Sequence, residues 1–222
     1  MRIGILGTGT MAEALGGSWV RAGHELVVGG RSEVKAKALA ARLGGAARAA
    51  APPDVGTGCD AVLLAVLWSG VEDILRSAGA NDGTLAGMPL IDPTNAVEHG
   101  VGVLLTGSGG SAAHHIAALA PGAHVVKAFH LFPAEQWTTP GNHTAPVTVP
   151  LCGDDPRALE TTSELVRDSG AVPAVLGPLS RVRQLEEVAG FLVGLAFSGF
   201  DPNSAIPRVP SASPRAVADS PA

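Results

Sequence analysis

Tyrosine is absent from this chain of 222 residues, and aromatic residues make up only 4% of it. That absence removes every mechanism that uses a tyrosine hydroxyl as its acid or base. Cysteine is scarce: Cys59 and Cys152 stand far apart, which is neither a disulfide framework nor a zinc pattern, and the pair reads as two thiols in a reducing compartment. Charged residues are only 16%, with a formal net charge of −5, so nothing electrostatic argues for nucleic acid as a partner. No apolar run reaches the roughly 18–20 residues that cross a bilayer. Residues 2–6 read as a strand at once, without the layout of a signal peptide. The expectation is a cytoplasmic protein whose partners are small molecules, not membranes. A hydrophobic content of 46% excludes a disordered chain. The length suits one domain with a short appendage, and is too short for a nucleotide domain plus a full helical substrate domain.

Glycine (29) and proline (17) are plentiful, and they punctuate a regular alternation. Residues 2–6, 25–29, 61–66, 88–92, 124–129, 147–152 and 172–176 read as strands, mostly short apolar runs of the kind buried on both faces. Residues 10–22, 32–43, 70–77, 111–119, 155–169 and 180–197 read as helices. Ser32 is placed as an N-cap, and Asp155-Pro156 is an N-cap followed by proline at the first helical position. In the last helix Leu185, Val188, Leu192 and Leu195 form an apolar stripe. Strands alternating with helices predict an α/β fold, a Rossmann-type doubly wound and mostly parallel sheet with a short C-terminal extension ending in a long helix. The division expected is a nucleotide-binding domain over 1–145, a strand–helix–strand–helix extension over 146–205, and a disordered tail over 206–222, where prolines recur among small residues.

Gly7-Thr8-Gly9-Thr10-Met11-Ala12 is G-x-G-x-x-A, set directly after the first strand and opening the first helix, which is the context that gives the pattern its meaning. Gly7 permits the turn, Gly9 lets the backbone approach a pyrophosphate, and Ala12 lets helix and strand pack closely. Amide groups at the helix start then hold the phosphates. At the end of the second strand an NAD site carries a carboxylate for the ribose hydroxyls, but here the chain reads Gly29-Gly30-Arg31-Ser32. Arg31 attracts a 2′-phosphate that a carboxylate would repel. Ser32 adds a hydroxyl or an amide, and Lys35 adds charge one turn later. NADP is therefore expected over NAD. For Lys35 a solvated surface role is an equal alternative.

The second half carries stretches that resemble one family, the NADP oxidoreductases that act with the deazaflavin coenzyme F-420. Val149-Pro150-Leu151-Cys152-Gly153-Asp154-Asp155 resembles its V-x-V-C-G-D-D segment. Gly177-Pro178-Leu179-Ser180 with Arg181 resembles its G-P-L-x-x-[SA]-R segment. Ala128-Phe129-His130-Leu131-Phe132-Pro133-Ala134 resembles its A-[FL]-[HN]-x-[IVF]-P-A stretch, and Leu67-Trp68 its P-W step. The first half is also similar to pyrroline-5-carboxylate reductases. The resemblance implies hydride transfer between NADP(H) and the deazaflavin, two ring systems that bring their own chemistry. It places Thr8, Gly9, Thr10 and Met11 at the pyrophosphate and Arg31, Ser32 and Lys35 at the 2′-phosphate. Val66, Leu67 and Trp68 then lie along the cofactor, with Thr94 and Asn95 at the nicotinamide. His130, Leu131, Phe132 and Pro133 face the second substrate, His130 as the catalytic candidate through a hydrogen bond. The alternative for His130 is a satisfied polar residue at a strand end. Gly30 departs from the serine of many family members.

Two other functions stay open. One is an NADPH-dependent reductase of a small imine or carbonyl compound, the other a non-catalytic NADP(H)-binding sensor. His114-His115 carries no metal pattern, because adjacent helical residues point about 100° apart, and no metal is expected. Trp137 either stacks on a planar ligand or caps a core edge. The apolar length of the last helix favours a homodimer.

Overall fold

The computed structural model describes residues 1–138 and 146–207. The tail expected over 206–222 thus lies outside the described residues from 208 onward. Eight strands form one sheet: β1 (Arg2–Leu6), β2 (Glu25–Gly29), β3 (Ala47–Ala49), β4 (Ala61–Leu64), β5 (Pro89–Asp92), β6 (His124–Lys127), β7 (Thr148–Gly153) and β8 (Val172–Gly177). Their order is β3-β2-β1-β4-β5-β6-β7-β8. All neighbouring pairs are parallel except β6 with β7. The order reverses direction at β1, so a crevice opens at the carboxyl ends of β1 and β4, where such sheets bind ligands.

Six α-helices cover the sheet: α1 (Thr10–Arg21), α2 (Glu33–Leu43), α3 (Val71–Ser77), α4 (Ala112–Leu119), α5 (Pro156–Asp168) and α6 (Val182–Phe197). Their starts follow the caps read in the sequence. The Ser32 hydroxyl accepts from the Lys35 amide at 3.3 Å, and the Asp155 carboxylate from the Ala158 amide at 2.8 Å. Burial divides between the two faces. Ile3, Ile5, Leu26, Val28 and Leu63 pack under α1, α2 and α5 with Trp19 and Phe129. Leu6, Val62, Leu64 and Leu90 pack under α3, α4 and the start of α6.

Two expectations need correction. The short strand β3 was not among the strands expected; Ala47-Arg48-Ala49 has no alternation and too few apolar atoms to announce itself. In α6 the buried face is not the stripe read from the sequence. Leu185 is buried, but Val188 is exposed, and the residues turned inward with Leu185 are Val182, Glu186, Ala189 and Gly190. The reason is a backbone contact. A Cβ on Gly190 would stand 2.3 Å from the Gly102 carbonyl oxygen, and one on Gly194 2.9 Å from that of Val101. The loop after β5 lies flat on this side of the helix, and glycine is what admits it.

Candidate functional site

The crevice is a cleft of about 960 Å³ at the carboxyl ends of β1, β2, β4 and β5. Thirteen of the residues expected there line it: Gly7, Thr8, Gly9, Thr10, Met11, Arg31, Ser32, Lys35, Val66, Leu67, Trp68, Thr94 and Asn95. Ala12 does not, being fully buried on the inward face of α1.

The two glycines of the first turn are required for different reasons. Gly7 has φ +136°, and a Cβ there would stand 1.9 Å from the Ala65 carbonyl oxygen; β1 and β4 come too close for any side chain. Gly9 has φ −88°, which any residue adopts, and a Cβ would meet nothing within 4 Å. Nothing inside the protein demands glycine at this position. The space belongs to the cleft, at the start of α1, whose first amides have no partners within the helix. A pyrophosphate fits that cradle.

At the end of β2 the Arg31 and Lys35 side chains are exposed and enter no ion pair among the described residues. Glu33, the nearest carboxylate in sequence, is bound by Lys37. Two cations thus face this end of the cleft unneutralised. Gly30 packs beneath Thr8, where a Cβ would be 3.2 Å from the Thr8 methyl. Leu67 is 82% exposed on the opposite lip, and the Trp68 ring leans on the His115 ring at 5.4 Å. His115 in turn pairs with Glu72 at 3.2 Å.

The far end of the cleft is built differently. Asp92 ends β5, and its Oδ1 accepts from both the Thr94 amide (2.8 Å) and the Thr94 hydroxyl (2.7 Å). That turn presents Asn95, whose Nδ2 donates to the His130 carbonyl at 2.8 Å, while its Oδ1 is buried without a partner among the described residues.

His130 itself is buried, 4% exposed, and neither it nor Leu131, Phe132 or Pro133 lines the cleft; Ala134 does. Neither ring nitrogen of His130 makes a well-formed hydrogen bond to a described residue, although the Leu185 carbonyl lies close to the ring. Burial, with the nearby Lys127 ammonium, holds its pKa well below the usual histidine range, so the ring is neutral. Phe129 before it has φ +64°, an uncommon conformation for a bulky residue, which turns the chain out of β6. The Phe129 ring packs edge-on against Trp19 and Trp137. Trp137 is 3% exposed and belongs to this core, not to the cleft.

Sequence reasoning did not single out Asp92, Lys127 or Glu186. All three are buried and bonded to one another through the Lys127 ammonium. The available signal was a lysine inside an apolar strand, His124-Val125-Val126-Lys127, which requires an anionic partner.

Residues 2–96 match the model of a family described as NADP oxidoreductase, coenzyme F420-dependent. This span holds the glycine-rich turn, Arg31 and Asn95, and it bears out the family resemblance, while the stretches at 128–134, 149–155 and 177–181 lie beyond it. The chain is 29% identical over 188 residues to the metalloreductase STEAP3 of Rattus norvegicus, covering 84% of this chain and 36% of that protein. It therefore spans about a third of the length of that curated relative. Among solved structures, it is similar to a candidate F420-dependent NADP reductase from Arthrobacter sp. FB24, at 26% identity and a TM-score of 0.74, covering 90% of this chain and 96% of the other. The fold is also that of an Aspergillus terreus reductive aminase solved with NADPH, with a TM-score of 0.65 and 20% identity over 89% of this chain and 62% of the other. Among the described residues no helix is long and apolar enough to cross a membrane.

Proposed function

We propose that this protein is an oxidoreductase that binds NADP(H) in the cleft and passes a hydride between it and the deazaflavin coenzyme F-420. The observation that carries the cofactor assignment is the phosphate end. A bare Gly9 at a helix start sits beside two unneutralised cations, with no carboxylate at the ribose position. Amides of residues 8–11 would hold the pyrophosphate. Arg31, Ser32 and Lys35 would hold the 2′-phosphate, Arg31 through its planar fork of donors. Val66, Leu67 and Trp68 would cover the adenosine and the nicotinamide ribose. NADPH supplies the hydride when bound.

The protein's own contribution is to orient the ring and exclude water. Thr94 and Asn95 do this on the nicotinamide side, where the orphaned Asn95 Oδ1 is an acceptor for an amide N–H. His130, Leu131, Phe132 and Pro133 form the support behind the second-substrate side. A neutral His130 would act there as a hydrogen-bonding group, not as a charge. The family match over residues 2–96 and the Arthrobacter structure support the deazaflavin as second substrate.

The division at about residue 145, the cytoplasmic setting and the homodimer belong to the same proposal. The dimer is supported by α6 and the neighbouring loop, where Phe191, Phe197, Phe200, Val101 and Val103 are more than half exposed around a groove of about 770 Å³. Exposed apolar side chains clustered around a groove are a feature of surfaces that meet a partner.

The test is to mix the purified protein with NADPH and oxidised coenzyme F-420 and to follow the visible absorbance of the deazaflavin. Bleaching is expected. NADPH binding without bleaching would refute the deazaflavin and leave either a reductase of a small imine or carbonyl compound or a non-catalytic NADP(H) sensor, which a substrate panel divides.

A further inference from the structure

Lys127 is fully buried in the middle of the sheet, and so are both of its anionic partners. Its ammonium donates to Asp92 Oδ2 at 3.0 Å and to the Thr94 carbonyl at 2.6 Å, and it forms an ion pair with Glu186 Oε1 at 3.3 Å. Both carboxylates accept further hydrogen bonds. Asp92 Oδ1 takes the Thr94 amide and hydroxyl. The Glu186 oxygens take the Ala112 and Ala113 amides at 2.8 and 3.1 Å, so that Glu186 occupies the N-terminus of α4. The cluster joins β5, β6, α4 and α6, and Asp92 and Lys127 are direct neighbours in the β5–β6 register.

A buried ion cluster is weak as a source of stability, because desolvating the charges offsets most of their attraction. A buried cluster tied together by hydrogen bonds and ion pairs does fix geometry. Here what it fixes is Thr94, whose amide, hydroxyl and carbonyl are all consumed by it. Thr94 and the next residue, Asn95, form the wall of the cleft at the end of β5.

We propose that Lys127 is a positioning residue: clamped between Asp92 and Glu186, its ammonium sets the Thr94–Asn95 wall against the nicotinamide, and through Glu186 it makes that wall depend on α6. The C-terminal helix thus acts on the cofactor without touching it. The inference rests on reading the cleft as an NADP(H) site. It assigns a role to three residues that do not line the cleft themselves, apart from the turn that Asp92 begins.

The experiment uses the full chain and two variants, Lys127→Met and Glu186→Gln. The second keeps an acceptor for the α4 amides while removing the charge, and it decides the matter if the first does not fold. Three quantities are read: hydrogen exchange at residues 94–96 without nucleotide, affinity for NADPH, and affinity for adenosine 2′,5′-bisphosphate, which has the 2′-phosphate and no nicotinamide. Exchange at 94–96 should rise at least tenfold while β1 is unchanged. NADPH affinity should fall at least fivefold, with the bisphosphate held within twofold. In a variant that melts as a folded protein, equal weakening of both nucleotides would overturn the positioning role, and so would no change in either. If the wild-type protein binds neither nucleotide, the cofactor assignment itself fails, and the exchange measurement alone decides whether the cluster holds the wall.

Discussion

The two ends of the cleft are built on opposite principles. At the end beside β1 and β2, the proposed phosphate side, the available groups are backbone amides and exposed side chains: Gly9 faces open space, and Arg31 and Lys35 stand in solvent without an ion pair among the described residues. At the end beyond β5, the proposed nicotinamide side, the polar groups are buried and committed to one another, from Asp92 and Lys127 to Glu186, with His130 and Asn95 beside them. Charge held in solvent is available to a ligand and costs little to keep. Charge held in the interior is costly to remove and serves to define position. The difference separates affinity from orientation, and it makes the two ends respond differently to substitution.

The largest effect is expected at the buried end. Lys127→Met leaves two buried carboxylates facing one another without their cation, and breaking such a cluster costs about 3–5 kcal/mol. Urea denaturation of the variant against the wild type measures this. A loss below about 0.5 kcal/mol, the ordinary range of surface substitutions, would erase the contrast between the ends.

Next is the pH response of the same end. His130 has its pKa depressed in the folded protein by burial and by Lys127, so below the ordinary histidine value of 6.5 the unfolded chain takes up the proton first. Stability should therefore fall as pH drops below 6.5 and be flat above it, with a slope of at most about 1.4 kcal/mol per pH unit. His130→Leu removes both ring nitrogens and should flatten that contribution. Denaturation profiles of both proteins between pH 5 and 8 (roughly the range in which histidine titrates) check it, and parallel profiles would count against a buried neutral ring.

The smallest structural effect is expected at the open end. Gly9→Ala adds a methyl group that meets no protein atom, so stability should change by less than about 1 kcal/mol. The methyl projects into the proposed phosphate cradle, and NADPH affinity should fall about tenfold or more, equivalent to about 1.4 kcal/mol. Unchanged affinity would mean that no pyrophosphate approaches this turn.

The open end was the more legible in the sequence, for the same physical reason that it is open. Its chemistry is local: a turn after a strand, a glycine pair, a capping serine and an arginine within four residues can be read in order. The buried end is assembled from residues 92, 127 and 186, which no spacing rule connects. Lys127 sits in an apolar run that reads as an ordinary strand, and Glu186 lies within a helix whose apparent apolar stripe points elsewhere. The reversal of β7 against β6 is likewise invisible locally, since a strand's direction is set by the connection and not by its own residues. The exposed aromatic residues of α6 were legible as apolar, but not which of them the molecule would cover.

The NADP(H) assignment depends most on what Arg31 reads. Calorimetric titration of the wild-type protein with NADPH and with NADH, repeated on Arg31→Asp, tests this directly. The prediction is a preference for NADPH of at least tenfold, about 1.4 kcal/mol, that shrinks or reverses in the variant as NADPH binding weakens. Equal affinities for the two nucleotides in the wild type, or a preference that survives the substitution, would contradict it.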